Sequence, residues 1–142
     1  MRPLILSGII LCFLACHNHD GARDQTIFDP DVTTLPSGLQ YRILQEGNGR
    51  EAVKGDTVLI RETARYRDGT VLYSNEQNNQ SIQVVIGGHQ ATDGEDEGLR
   101  GMNEGEIREM IIPPVLSRRT TYPPNLSPDS IIVVKVILEK IL

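Results

Sequence analysis

From Leu39 to the C-terminus, apolar and polar residues alternate in short runs divided by Gly, Pro and Asn. That period of two, broken by turn residues, predicts strands rather than helices. In "GLQYRILQEGNG", Leu39, Tyr41 and Ile43 alternate with Gln40, Arg42 and Leu44, and the run ends in a Gly-Asn-Gly turn. "DTVLIRETARY" sets Val58, Ile60, Glu62 and Ala64 on one face, with Arg61, Thr63 and Arg65 on the other. Asp68-Gly69 is a hairpin signal, followed by the strands "TVLYS" and "SIQVVIG" on either side of a polar loop. "GEIREMIIPP" reads as a strand stopped by its prolines, and "VLSRRTTYPPNLSP" as a long loop. The last run, "SIIVVKVILEKIL", places Ile132, Val134, Val136 and Leu138 on a face without charge, the predicted core face. Ile131, Val133 and Ile137 fall on its other face.

One stretch departs from this rhythm. In "TDGEDEGLRGM", Glu95, Leu99 and Met102 stand at i, i+4 and i+7, which predicts a helix from about Asp93 to Met102 with that stripe inward. Asp93 is the expected N-cap, and Asp96 with Glu97 suits the positive end of the helix dipole. Asp96 and Arg100 should pair at i, i+4 on the outer face. The expected fold class is therefore α+β, an antiparallel sheet of five to six strands curled around one short helix. Its one awkward feature is that Glu62 and Glu95 both face inward. A buried carboxylate without a partner costs several kcal/mol. Arg118 is the expected partner of both, with Tyr73 as a hydrogen-bond donor, so that the three charges would form one polar cluster.

Composition changes the picture at the N-terminus. The chain has 142 residues, enough for one domain. "MRPLILSGIILCFLAC" has a basic start and an apolar run too short to span a bilayer. It resembles a bacterial lipoprotein signal, with small Ala15 before a lipid-bearing Cys16, although Phe13 stands where such signals usually carry Leu. The expected division is a signal peptide over 1–15, the lipidated cysteine and a flexible tether over 16–34, and a domain over 35–142. Both cysteines, Cys12 and Cys16, lie in this leader, so no disulfide or catalytic thiol is expected in the domain. His17 and His19 have no third ligand nearby and read as solvated tether residues, and His89 as a loop residue, so no metal is expected. A net charge of −5 argues against nucleic acid as partner. The inward carboxylates do not suggest a glycosidase, because no aromatic platform accompanies them.

Several stretches together carry a family resemblance: "SGLQYRILQEGNG", "KGDTV", "RDGTVLYS", "EGLRGMNEGE", "IIPP" and "PDSIIVVKVIL". In order and spacing they resemble the FKBP-type peptidyl-prolyl isomerases over about Thr34 to Leu142. The resemblance implies an apolar, aromatic-lined pocket for a prolyl residue, and no nucleophile, metal or cofactor. It also places that pocket position by position. Glu62 replaces a Tyr of the second strand, and Leu72-Tyr73 a Phe-Asp pair. Ile82 stands for a Phe, Ala91-Thr92 for Val-Ile, and Glu95 for the Trp that floors the pocket. Arg118 replaces the Tyr thought to bond the substrate carbonyl, Val134 replaces a Phe, and Leu126 keeps an apolar residue in the late loop. The implied protein is a lipid-anchored isomerase of the bacterial envelope with weakened activity toward Xaa-Pro segments. The alternative is a catalytically silent module that binds polypeptides or serves as a scaffold.

Overall fold

The structure is a computed structural model that describes residues 31–78 and 80–142. Cys16, the leader and nearly all of the expected tether lie outside the described residues. Among the described residues, seven strands and one α-helix follow in the order β1 (Thr33–Thr34), β2 (Gln40–Gln45), β3 (Thr57–Tyr66), β4 (Val71–Ser74), β5 (Ile82–Val85), α1 (Asp93–Leu99), β6 (Ile107–Ile112) and β7 (Ile132–Ile141). A short 3-10 turn, Pro114–Leu116, leaves β6. All pairings are antiparallel, and the sheet runs β1-β2-β6-β7-β3-β4 with β5 also on β3. The α+β architecture is the expected one, with six strands where the alternation placed them. The seventh, β1, is formed by Thr33 and Thr34, within the expected tether. Two residues are too few to show a period.

The core lies between the sheet and α1. Val58, Ile60, Met110, Val134, Val136 and Leu138 from the sheet meet Leu99 and Met102 there. On β7 the predicted face is buried throughout, and Val133 of the opposite face is buried as well.

The helix is shorter than its stripe predicts. It ends at Leu99, because Arg100 turns to an extended ψ of 138° and Gly101 takes a φ of +74°. A left-handed φ just past the last turn is a position that suits glycine. Met102 is still fully buried, but from the loop and not from a helical turn. The N-cap is also one residue earlier than expected. Thr92, not Asp93, caps the helix, because its hydroxyl accepts from the Glu95 N–H while the Glu95 carboxylate reaches back to the Thr92 N–H. Such a reciprocal box satisfies two orphan donors at once, and a cap at Asp93 would satisfy one. Asp96 is largely buried rather than on an open outer face. It takes the Gly87 N–H at 2.6 Å and, as the spacing predicts, pairs with Arg100 at 2.8 Å.

Helix and sheet approach closely because α1 presents glycines to β6. A Cβ on Gly94 would stand 2.5 Å from Cγ2 of Ile112, and one on Gly98 would stand 2.8 Å from Cε of Met110. Arg108 of β6 then reaches under the helix C-terminus, donating to the carbonyls of Gly98 at 2.9 Å and Gly101 at 3.2 Å.

Candidate functional site

A cavity of about 130 Å³ opens between α1, β3, β5 and β7. Its walls are Ile60 of β3, Ile82 and Val84 of β5, Ala91, Leu99 of α1 and Val136 of β7. Strand register assembles them, because Ile60 stands opposite Ile82 and Glu62 opposite Val136. Gln90 and three charged side chains complete the lining, the charged ones being Glu62 from β3, Glu95 from α1 and Arg119 from the loop before β7.

The two carboxyl groups are held differently. Glu95 faces inward because of the capping box, in which its Oε2 takes the Thr92 N–H at 2.9 Å and the Thr92 hydroxyl at 2.8 Å. Glu62 is fixed through its backbone. Its N–H donates to Oδ1 of Asn75 at 2.6 Å, and its C=O accepts the Asn75 N–H at 3.1 Å. Asn75 is buried and also donates to the Gln80 carbonyl at 3.3 Å, so it clips the β4–β5 loop to β3. Among the described residues, no hydrogen bond reaches the Glu62 carboxyl. Burial, reinforced by the negative charge of Glu95 and opposed by Arg119, pushes this group up to about 7.

The cavity gathers four of the ten positions that the family resemblance points to, Glu62, Ile82, Ala91 and Glu95. The other six stand elsewhere. Thr92 caps the helix behind the cavity, and Val134 is fully buried in the core opposite Ala64. Leu72 and Leu126 pack on the margin of the core. Leu126 is clamped there by Tyr66, whose hydroxyl donates to the Asn125 carbonyl at 2.8 Å and accepts the Ser127 N–H at 2.9 Å. Tyr73 is 45% exposed and donates to neither carboxylate.

The expected Glu62–Glu95–Arg118 cluster is corrected: among the described residues no ion pair joins an arginine to either carboxyl group. Arg118 is exposed and lines a separate groove with Val115, Tyr122 and Asp129. Its neighbour Arg119 faces the two carboxyl groups instead. The stretch after the 3-10 turn is irregular, so a pattern of faces cannot fix which of two adjacent arginines turns inward. Ile60, Val84, Gln90, Leu99, Arg119 and Val136 also line the cavity and were not among the expected site positions. For Val136 the signal was present, since it shares the uncharged face of β7 with Val134.

Comparison with known proteins agrees with this architecture. The family model for FKBP-type peptidyl-prolyl cis-trans isomerase matches residues 48–139. The chain is 35% identical over 101 residues to the peptidyl-prolyl cis-trans isomerase Mip of Chlamydia trachomatis serovar D, covering 71% of this chain and 40% of that protein. It is 40% identical over 76 residues to an FK506-binding protein of Neisseria meningitidis serogroup B, covering 54% of this chain and 70% of that one. With the outer membrane protein MIP of Legionella longbeachae it shares 36% identity over 84 residues, 59% of this chain and 35% of the relative. Among solved structures, FkpA from Escherichia coli matches with a TM-score of 0.71 at 24% identity, over 80% of this chain and 53% of that chain. AtFKBP13 matches with a TM-score of 0.68 at 24% identity, over 78% and 98%. These structural likenesses show the fold. The chain belongs to the FKBP-type peptidyl-prolyl cis-trans isomerase family. It spans about two fifths of the length of the Chlamydia Mip proteins it matches.

The elevated Glu62 group has a consequence for stability. Its pKa lies near 4.5 in the unfolded chain and about 7 in the fold, so between those values the folded state holds more protons. Stability from this group is therefore complete below about 4.5 and is lost as pH rises to about 7. Glu62 is partly exposed, so solvent reduces the effect, and about 2 kcal/mol is the expected size. Urea unfolding at pH 5 and pH 8 should show E62Q gaining on the wild type by that amount at the higher pH. An unchanged difference between the two pH values would mean that Glu62 titrates normally. Asp56 and Glu76, whose ion pairs lower their pKa, act in the opposite sense but lose their contribution only as pH falls below about 4.5, outside this window.

Proposed function

We propose that this protein is a slow prolyl isomerase of the bacterial envelope, held at a membrane through acylated Cys16, and that the cavity beside α1 receives the prolyl ring. The single observation that carries the reading is an apolar cup built from Ile60, Ile82, Val84, Leu99 and Val136 within a family domain. Envelope placement is supported by the leader and by the Legionella relative's name as an outer membrane protein. Its partners are polypeptide chains with accessible Xaa-Pro bonds.

The chemistry asks little of the protein. Resonance across the imide sets a barrier of about 18–20 kcal/mol. A cup that strips water from the imide and holds it twisted disfavours the planar ground state. Each tenfold in rate requires about 1.4 kcal/mol of that difference. Two carboxyl groups and no aromatic ring in the lining make this cup wetter than an apolar one, hence a slow enzyme.

The same carboxyl groups favour a second reading, a catalytically silent module that binds polypeptides through the same surface. Isomerisation of an Ala-Xaa-Pro-Phe peptide by the purified protein decides between them. The uncatalysed process takes tens to hundreds of seconds. A clear acceleration is the expected result, and a rate equal to the uncatalysed one selects the silent module.

A further inference from the structure

We infer that Glu62 is the acid of this site: in its protonated form it donates a hydrogen bond to the imide nitrogen of the bound Xaa-Pro segment as the bond twists. This rests on the reading that the cavity receives the prolyl residue, and it adds a named catalytic residue to that reading.

Position comes first. Three charged groups line the cavity, and one of them is engaged elsewhere. Oε2 of Glu95 is occupied by both donors of Thr92. Arg119 belongs to an exposed stretch of the late loop. Glu62 projects from the middle of β3 between Val136 and the β5 wall, and its carboxyl has no hydrogen-bond partner among the described residues.

The reaction supplies the need for a donor. In the planar imide the nitrogen lone pair is delocalised into the carbonyl, so nitrogen accepts poorly. At the twisted transition state the lone pair is localised on nitrogen, which becomes a real acceptor. A donor aimed at nitrogen is therefore engaged in the transition state and idle in the ground state, the differential binding that raises a rate. A donor aimed at the carbonyl oxygen would do the reverse and stabilise the planar form. The proton stays on Glu62 throughout, no covalent bond is made or broken, and no co-reactant is required.

Such a donor must hold its proton at working pH. The groups facing Glu62 are the Glu95 carboxylate from α1, which favours the protonated form, and Arg119 from the late loop, which opposes it. β5 and β7 present the apolar side chains Ile82, Val84 and Val136. Burial outweighs the arginine, and the group titrates at about 7, so it carries its proton on the acid side of neutrality.

The test is the pH profile of kcat/KM toward a peptide that carries no titrating group between pH 5.5 and 8.5, with the uncatalysed rate subtracted at each pH. The wild type should be about tenfold faster at pH 6 than at pH 8, following the protonated fraction of one acid. E62Q should show a flat profile. E95Q, which removes the charge that favours the protonated form, should move the limb to lower pH. A wild-type profile that is flat, or that rises with pH, overturns the inference and leaves the isomerase reading standing. Absence of catalysis at every pH overturns both. Circular dichroism of each variant, compared with wild type, separates lost folding from lost chemistry.

Discussion

Replacing Arg108 with methionine will cost the fold about 3–5 kcal/mol, the range for breaking a buried ion pair by removing one partner. Arg108 is 3% exposed and Glu106 is fully buried. The guanidinium Nε meets the Glu106 carboxylate at 2.7 Å. Its Nη1 donates to the carbonyls of Gly98 at 2.9 Å and Arg100 at 3.3 Å, and Nη2 to that of Gly101 at 3.2 Å. The same group lies 4.3 Å above the centre of the Tyr41 ring. α1 is seven residues long and has no basic residue in its last turn. Its exit carbonyls need donors, and Arg108 supplies them from a neighbouring strand. Without Arg108, Glu106 keeps a buried charge with the Asn103 N–H as its remaining donor, and the exit carbonyls lose theirs. Urea unfolding measures the loss, and a value below about 1 kcal/mol would mean that water replaces the guanidinium freely. Replacing Glu106 and Arg108 together with apolar residues should recover part of the stability, because the desolvated charge leaves with its partner.

Gly98→Ala will also destabilise, by about 2 kcal/mol, although alanine is the better helix former by about 1 kcal/mol. Propensity is a local quantity, and the site is decided by tertiary contact. Gly98 is buried against β6, where the new methyl would meet Met110 Cε at 2.8 Å and crowd its sulfur. Met110 is itself fully buried and has little room to yield. Thermal and urea unfolding of G98A should both show the loss. Adding Met110→Ala in the G98A background should cost less than it does in the wild type, since the first methyl occupies part of the space that the second change vacates. A more stable G98A would show that α1 can lift from the sheet at little cost.

How much of this was legible depends on whether the deciding interaction is local. Strands β2 to β7 were readable because a period of two with turn residues is visible within a few positions. β7 declared its core face through four uncharged positions in register. The helix was readable in kind and not in extent. Met102 is buried as its spacing predicts, yet Gly101 has already turned the chain out of the helix. The capping box was written in the chain as Thr92-x-x-Glu95, and the surrounding acids drew attention to Asp93 instead. Glu95 therefore faces inward for a reason of backbone chemistry, before any question of substrate arises. Glu106 and Arg108 also shared an inward face with Met110 and Ile112 by simple alternation, which hints at a buried pair. That Arg108 would also serve the end of α1 was not legible, because only the packing of helix on sheet brings the two together. The choice between Arg118 and Arg119 lies in an irregular loop and leaves no periodic trace.

The two-residue strand β1 bears on how the domain responds to load. It holds the sheet through the pairs Thr33–Tyr41 and Thr34–Gln40, while β3, the strand of Glu62, lies across β2, β6 and β7 from it. Four strand spacings of about 4.8 Å put roughly 19 Å between them. A pull transmitted through the N-terminal side of the chain is thus borne by the shortest ladder in the sheet. That ladder can peel as a mechanical fuse while the long β3–β7 ladder, and the cup it supports, keeps its shape.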